Sequence, residues 1–274
     1  TCDLSKDLLE KYDISILPLH ILLGETEYRD GVDITPEEIF RWSDENKTTP
    51  KTSAPSMTEA MEVMKPFLDE GREIICFSIS DSMSTSGNVM RLAAEELEAS
   101  DKVTVINSAN LSTGIGLQVI QAAILSAEGK TRAQITAAIE EIRPRVRASF
   151  TVDTLTYLYR GGRCNAVAAL AGTMLKLHPR IVVEDGAMDA SKKYRGKLSS
   201  VILSYTKDME DDLKNAVPDR VFITHSGCDR EIVESVRSYL ESLGIFNEIL
   251  ETRAGGVISS HCGPGTLGVL FIEK

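Results

Sequence analysis

The sequence predicts a layered α/β protein. Short segments rich in β-branched residues and leucine, such as Val103–Asn107, alternate with longer amphipathic segments, a pattern typical of strands covered by helices. With 274 residues the chain exceeds the usual size of one hydrophobic core, so we expect two domains. Counting the elements places the boundary near residue 148, which predicts domains at 1–147 and 148–274.

The first half is predicted to contain three strands and five helices. Strands are expected at Ile14–Leu23, Glu73–Ser80 and Val103–Asn107, and helices are expected to begin near Thr35, Ser56, Ser86, Ser112 and Thr131. Two of these helix starts carry a capping box, in which a hydroxyl is followed three residues later by a glutamate. The polar segment 48–56 is predicted to be a loop.

The second half repeats the alternation. Strands are expected at Ala148–Val152, Arg180–Glu184, Met188–Tyr194, Arg220–Thr224, Ile245–Leu250 and Leu267–Ile272, and helices after Asp153 or Thr154, at Asn165–Leu175, over most of Leu198–Asn215, and at Asp229–Leu243. The dipeptide Asp185-Gly186 is a strong signal of a tight hairpin. The glycine-rich segment around His261 is predicted to be a loop.

Composition and charge exclude several classes of function. The net charge is −11, from 30 basic and 41 acidic residues, and no basic run would attract a nucleic-acid backbone. The five cysteines are scattered without a C-x-x-C pair, which indicates reduced thiols rather than disulfides or a thiolate metal site. The apolar segments are too short for stable membrane insertion and no signal peptide is apparent, so we expect a cytoplasmic protein.

Two glycine motifs resemble nucleotide-binding loops but are incomplete. The G-I-G of residues 114–116 lacks its third glycine, because Val119 stands there. The G-K-T of residues 129–131 lacks the upstream glycine of a P-loop, because Ile124 stands there. We therefore expect no nucleotide site, and likewise no cofactor and no bound metal.

Two hydroxyl-rich segments are candidate ligand sites. Thr52 and Ser53 come just before a predicted helix, whose free N–H groups and dipole favour an anion. The segment Ser80–Asn88, which includes Ser86, Gly87 and Asn88, follows a buried strand and precedes a helix, and its glycine permits close approach of a ligand. Helix capping is the structural alternative for both segments.

Two further candidates lie in the second half. Arg163 follows two glycines and suits an anion or a partner, with a structural salt bridge as the alternative. His261 precedes C-G-P-G, which includes Gly263, and a histidine beside a glycine-rich turn is either structural or functional.

Together these motifs resemble the DegV family. T-S-x-P-S at 52–56, S-G at 86–87, G-G-R at 161–163 and H-x-G-P-G at 261–265 occur in the family's order over essentially the whole chain. DegV proteins are two-domain α/β proteins, with a three-layer α/β/α domain around a parallel sheet and a second α/β domain around a mixed sheet. They bind a long-chain fatty acid in a tunnel between the domains. Some present it to a separate ATP-dependent fatty acid kinase subunit.

The resemblance implies roles for particular residues. The fatty-acid-binding set is Thr52, Ser53, Ser86, Gly87, Asn88, His261 and Gly263. Within it, the carboxylate ligands carry over to Thr52, Ser86 and His261, and Arg163 matches an arginine near the pocket entrance that is associated with the kinase. We also expect small residues to line part of the tunnel or to pack helices closely, namely Ala166, Ala168, Ala169, Ala171 and Gly172.

This interpretation makes the chain a lipid-binding subunit rather than an enzyme, and two alternatives remain open. Ser86 with His261 as its base would give an esterase or acyltransferase, although the sequence lacks G-x-S-x-G. A lipid carrier or sensor without a kinase partner would differ from a kinase subunit only in its protein partner. For a fatty acid, burial of the tail contributes roughly 0.8 kcal/mol per CH₂ group.

Overall fold

The computed structural model describes residues 1–164 and 177–274. The predicted helix Asn165–Leu175, with the small residues assigned to the tunnel, lies outside the described residues. The helices are α1 (Lys6–Lys11), α2 (Pro36–Asn46), α3 (Met57–Asp69), α4 (Ser86–Glu96), α5 (Thr113–Ala127), α6 (Arg132–Ile142), α7 (Thr156–Gly161), α8 (Leu198–Lys207), α9 (Glu210–Lys214), α10 (Arg230–Leu243) and α11 (Gly256–Cys262), with a 3₁₀ turn at Arg143–Arg145.

The strands of the described residues form three sheets. They are β1 (His20–Leu23), β2 (Thr26–Arg29), β3 (Lys51–Ser53), β4 (Ile74–Ser78), β5 (Val103–Asn107), β6 (Val146–Thr151), β7 (Leu177–Glu184), β8 (Ala187–Arg195), β9 (Ala216–Ser226), β10 (Glu248–Arg253) and β11 (Thr266–Glu273). The strand orders are β2-β1-β3, β4-β5 and β10-β9-β11-β6-β7-β8.

Strands β4 and β5 form a parallel sheet that is covered on both faces. Ile74 and Cys76 of β4 pack with α3 and α4, whereas Ile75 and Phe77 pack with α5 and α6. Alternate residues of a strand point to opposite faces, so this nearly continuous apolar strand is buried from both sides. The predicted three-layer α/β/α arrangement is confirmed.

The six-stranded sheet is mixed. Strands β9 and β10 are parallel, and the other neighbouring pairs are antiparallel. One face packs with α8, α9 and α10 around the fully buried Tyr205 and Phe271. The other face packs against α5, where Ile115 and Leu117 meet Phe150 of β6. Helix α5 thus lies between the parallel and the mixed sheets, and the presence of both kinds of sheet confirms the predicted fold class. The division into domains 1–147 and 148–274 stays a prediction.

Several local predictions are confirmed. Capping boxes begin α2 at Thr35 and α3 at Ser56. Strands β7 and β8 form the expected hairpin, in which Asp185 and Gly186 have φ values of 49° and 80°. Two consecutive residues with positive φ give the turn whose twist matches that of the flanking strands.

Three local predictions are wrong. The strand expected at Ile14–Leu23 begins only at His20, because Pro18 has no N–H to donate to a neighbouring strand. The segment 48–56, predicted to be a loop, contains β3, which pairs antiparallel with β1. The glycine-rich segment around His261, also predicted to be a loop, includes helix α11.

The three-stranded sheet joins the two halves of the chain. Its central strand β1 places the fully buried Ile21 against Ile39 of α2 and Val257 of α11. This contact brings β3, an early segment, beside α11, a late one. No helix among the described residues is both long enough and apolar enough to cross a lipid bilayer.

Candidate functional site

A cavity of about 510 Å³ lies where β3, the loop after β4, α11 and β8 meet. Its size falls in the range of pockets that hold small organic ligands. The polar lining residues are Thr52, Ser53, Asp81, Ser82, Ser84, Thr85, Arg163 and His261. The apolar ones are Leu19, Ala54, Ile79, Met83, Leu111, Met188, Val257, Ile258 and Cys262. The cavity is therefore amphipathic.

His261 lies in the last turn of α11 and contacts Thr52 across the cavity. Its Nε2 is 2.8 Å from Thr52 Oγ1, a hydrogen bond between residues 209 positions apart in sequence. Its Nδ1 is buried and has no hydrogen-bond partner within the described part of the chain. Burial lowers the pKa of His261 to about 4, and the nearby positive charge of Arg163 adds to this. The imidazole is thus neutral at pH 7.

The G-G-R motif is explained by this histidine. A Cβ atom added at Gly161, the last residue of α7, would lie 2.4 Å from His261 Nδ1. Gly162 follows in the left-handed conformation that ends the helix. Arg163 donates from Nη1 to the Gly161 carbonyl oxygen at 2.6 Å and lines the cavity. The first glycine makes room for the ring, and the second turns the chain so that the arginine reaches the cavity.

Thr52 is held in place by the pairing of β3 with β1 and by two ion pairs of His20, the residue of β1 next to the partner of Thr52. On β3 it lies opposite Ile21 of β1. The neighbouring His20 contacts Glu27 through Nδ1 at 2.7 Å and Glu59 through Nε2 at 2.8 Å, and Glu59 also caps α3. Burial lowers the pKa of His20, but the two glutamates outweigh it, so the net shift is upward. With a carboxylate at each ring nitrogen, both nitrogens donate, which requires the protonated imidazole.

Ser86 and Gly87 begin α4 beside the cavity. Ser86 Oγ is buried and makes no hydrogen bond with the described residues, although the Ser86 N–H donates to Ser84 Oγ at 3.2 Å. A Cβ atom added at Gly87 would lie 2.7 Å from Asp81 Oδ1 and 2.8 Å from Ser78 Oγ. Gly87 thus lets the loop pack tightly, and the buried Ser86 hydroxyl has an unused hydrogen-bonding capacity.

Four predicted site residues do not line the cavity: Ser86 and Gly87 lie beside it, and Asn88 and Gly263 lie elsewhere. Asn88 is exposed on α4 and does not line the cavity. Gly263 ends α11 with a φ of 76°, and a Cβ atom there would lie 2.5 Å from the ring of Tyr157. The role of Gly263 in the structure is to end the helix that carries His261. The structure brings together Thr52, Ser53, Arg163 and His261 around the cavity.

The cavity also includes residues that sequence reasoning missed. Ser82, Ser84 and Thr85 belong to the hydroxyl-rich segment Ser80–Asn88, which the sequence marks as a candidate site, although only Ser86, Gly87 and Asn88 of that segment were predicted to bind the ligand. The apolar wall is assembled from separate elements, including Leu19 and Met188, and no local pattern marks it.

A hydrogen bond links this turn to the mixed sheet. Ser82 Oγ donates to the carbonyl oxygen of Gly186 at 2.5 Å, at the tip of the β7–β8 hairpin. A Cβ atom at Gly186 would lie 2.6 Å from Ser80 Oγ, so the contact depends on the glycine. The hairpin closes one side of the cavity through Met188.

The arrangement suits binding more than nucleophilic catalysis. No hydrogen bond joins Ser86 to His261 in the described part of the chain, because His261 Nε2 contacts Thr52 instead. Among residues 1–164 and 177–274, no group of three or more His, Cys, Asp or Glu side chains is placed to hold a metal ion. The fold and the cavity define an α/β protein with an amphipathic internal site, in which neutral hydrogen-bonding groups lie beside the charged side chains of Asp81 and Arg163.

Comparison with known proteins specifies the class further. The family model described as "Uncharacterised protein, DegV family" matches residues 1–274. A DegV domain-containing protein of Clostridium perfringens is 31% identical over 274 residues, covering 100% of this chain and 96% of the relative. The chain belongs to the DegV family.

Solved structures agree with this assignment. A fatty-acid-binding DegV family protein from Thermus thermophilus is 31% identical, with a TM-score of 0.92, and the match covers 100% of this chain and 97% of that one. A stearic-acid-binding protein from Eubacterium ventriosum is also 31% identical, with a TM-score of 0.85, covering 100% and 96%. The fold is thus that of proteins that bind fatty acids.

Proposed function

We propose that this chain binds a long-chain fatty acid in the cavity, with the carboxylate near Thr52, Ser86 and His261 and the tail along the apolar wall. The observation that carries the proposal is the pairing of Thr52 with a half-buried, neutral His261 in an amphipathic cavity. Neutral donors can hold a carboxylate without a buried salt bridge. The fatty acids bound by the two similar structures support it.

The tautomer of His261 determines which groups donate to the carboxylate. Among the described residues a proton on Nδ1 would be buried without an acceptor, so we infer that the neutral ring carries its proton on Nε2 and donates it to Thr52 Oγ1. The Thr52 hydroxyl hydrogen is then free to donate to the carboxylate. The buried Ser86 hydroxyl supplies a second donor, and the exposed Arg163 neutralises the charge from the solvent side.

The tail supplies most of the affinity. Burying the tail of a sixteen-carbon acid contributes on the order of 10 kcal/mol before the costs of ordering and association are subtracted. The carboxylate contacts therefore orient the ligand more than they hold it. We expect head-group variants to weaken binding without abolishing it.

Native mass spectrometry of the purified protein, followed by denaturing lipid extraction, tests the proposal. We expect a bound mass in the fatty-acid range, with reduced occupancy in Thr52→Val and Ser86→Ala. The matched control is Ser199→Ala, which removes an exposed hydroxyl on α8 and should retain full occupancy. A protein that stays empty after mixing with palmitate and oleate would contradict the proposal.

We further propose that the bound acid is presented to a separate ATP-dependent fatty acid kinase subunit in the cytoplasm, with Arg163 at the contact. Arg163 is exposed while lining the cavity, so one side chain can face both the ligand and a partner. Lipid-loaded protein, ATP and such a kinase subunit should form an acyl phosphate that hydroxylamine traps. Arg163→Ala should retain lipid and lose this product. If neither the wild-type protein nor Arg163→Ala supports formation of the acyl phosphate, the role of a lipid carrier or sensor without a kinase partner is favoured.

A further inference from the structure

Helix α11 has no capping side chain of its own. Its N-cap residue is Gly255, and no side chain of the adjoining sequence satisfies the first N–H groups. Asp30, 226 residues earlier, supplies the acceptors instead. Its Oδ1 accepts from the Gly256 N–H at 2.6 Å, and its Oδ2 accepts from the Val257 N–H at 3.0 Å. A carboxylate at this position also matches the positive end of the helix dipole.

Asp30 is itself fixed to the sheet that carries Thr52. Its N–H donates to the Leu19 carbonyl oxygen at 2.9 Å, just before β1. Strand β1 pairs with β3, where Ile21 lies opposite Thr52. Asp30 therefore connects the first turn of α11 to the same sheet that His261 contacts from the last turn.

The helix and the sheet approach closely at the Asp30 end. A Cβ atom on Gly256 would lie 2.5 Å from Ile21 Cδ1 and 2.8 Å from Asp30 Oδ1. Gly256 allows the helix backbone to reach both the carboxylate and the apolar surface. His261 is five positions after Gly256, which is roughly 7.5 Å along the helix axis. Because the two residues are little more than one helical turn apart, a displacement of the helix at Gly256 also displaces the ring of His261.

From these contacts we propose that Asp30 is a positioning residue, which holds α11 so that the His261 imidazole donates to Thr52 and keeps the Thr52 hydroxyl turned toward the carboxylate of a bound acid. This rests on the proposed function for the ligand, but the effect on the ring is independent of any ligand. A cap that only stabilised the fold would leave the surroundings of His261 unchanged in variants that remain folded.

The test compares Asp30→Ala and Asp30→Asn with Asp33→Asn. Asp33 is a nearby exposed carboxylate that pairs with Arg29 and does not contact α11. The first readout is the ¹⁵N spectrum of the four histidine rings in lipid-free protein, assigned with His261→Gln. Asp30→Ala should shift the His261 ring signals and raise the pKa of the ring, which burial lowers to about 4 in the wild-type protein, whereas Asp33→Asn should not.

The second readout is palmitate affinity. Asp30→Ala should weaken it roughly tenfold, because the site loses a correctly oriented hydrogen-bonding group. Asp30→Asn keeps one acceptor oxygen for two N–H groups and should show a smaller change of the same kind. Should Asp30→Ala fail to fold, Asp30→Asn decides the question.

The two readouts separate the two proposals. Unchanged His261 signals in folded Asp30 variants would overturn the positioning role, whether or not palmitate binds. Shifted signals in a wild-type protein that takes up no fatty acid would support the positioning role and contradict the proposed function. Weaker palmitate binding with unchanged ring signals would also count against the positioning role, because the loss of affinity would then have a cause other than movement of His261.

Discussion

Replacing Gly161 by alanine should displace His261 without disturbing the helix that carries the substitution. The new Cβ would lie 2.4 Å from His261 Nδ1, whereas ordinary van der Waals contact begins at 3.4 Å. The ring must therefore retreat by about 1 Å. Because the Cβ approaches Nδ1 roughly in the plane of the ring, the ring must shift or rotate, and the 2.8 Å bond from His261 Nε2 to Thr52 Oγ1 cannot keep its present geometry.

The backbone itself favours the alanine. Gly161 ends helix α7 and, unlike Gly162, does not have a positive φ. Alanine is better than glycine inside a helix by about 1 kcal/mol. The penalty thus falls on the site: losing one hydrogen bond costs about 1 kcal/mol, and misdirecting a donor to a carboxylate costs about 1.5–3 kcal/mol. The misdirected donor alone corresponds to palmitate binding that is weaker by roughly ten- to 150-fold.

The assay is a double-mutant cycle on palmitate affinity, with thermal unfolding measured in parallel. In the wild-type background Gly161→Ala should weaken palmitate binding. In the His261→Ala background the same substitution should have no effect, because the imidazole with which the added Cβ would clash is absent. Equal losses in both backgrounds would refute the reasoning, since the damage would not pass through His261. Unchanged affinity in the single variant would refute it more directly.

Three other outcomes are expected. His261 stays neutral when folded down to about pH 4 but is protonated below about pH 6.5 when unfolded, so acid should cost stability between these values, by roughly 3 kcal/mol in total, and His261→Gln should remove this part of the pH dependence of urea unfolding. The pKa of His20 is raised, so its contribution to the free energy of unfolding is complete below pH 6.5 and is lost as the pH rises through the folded-state pKa. His20→Gln should flatten the plot of unfolding free energy against pH above pH 6.5, and an unaltered plot would show that the ion pairs of His20 with Glu27 and Glu59 do not contribute. Ser82→Ala should cost about 1 kcal/mol in chemical denaturation by removing the bond to Gly186, and no loss would show that the bond is not formed in solution.

Elements whose signals are local could be predicted from the sequence. The capping boxes at Thr35 and Ser56 need only residues three positions apart, and the Asp185-Gly186 turn needs only two with positive φ. The parallel strand β4 was recognisable because both of its faces are covered, which makes it continuously apolar.

Elements that depend on distant partners could not be predicted. Strand β3 consists of three polar residues. It is extended because it pairs with the edge of β1, which lies about thirty positions earlier in the sequence. Helix α11 begins with glycines, which disfavour helices, and its cap comes from Asp30.

The same distinction applies to the candidate site. Thr52, Arg163 and His261 were found because each adjoins a recognisable motif, and the cavity brings them together. Asn88 was included as part of the hydroxyl-rich segment with Ser86, but residues two positions apart on a helix point in different directions, which leaves Asn88 exposed. Gly263 was included as part of a motif whose purpose is to end α11.

The separation of 209 positions between Thr52 and His261 has a consequence for folding. A contact of such high sequence separation forms only after most of the loop-closure entropy has been overcome, so the site appears late, when the chain is nearly native. Any molecule held there binds the native state alone and shifts the folding equilibrium of the entire chain by mass action. Occupancy of this one cavity would therefore set the lifetime of the whole protein against proteases, which attack the opened state.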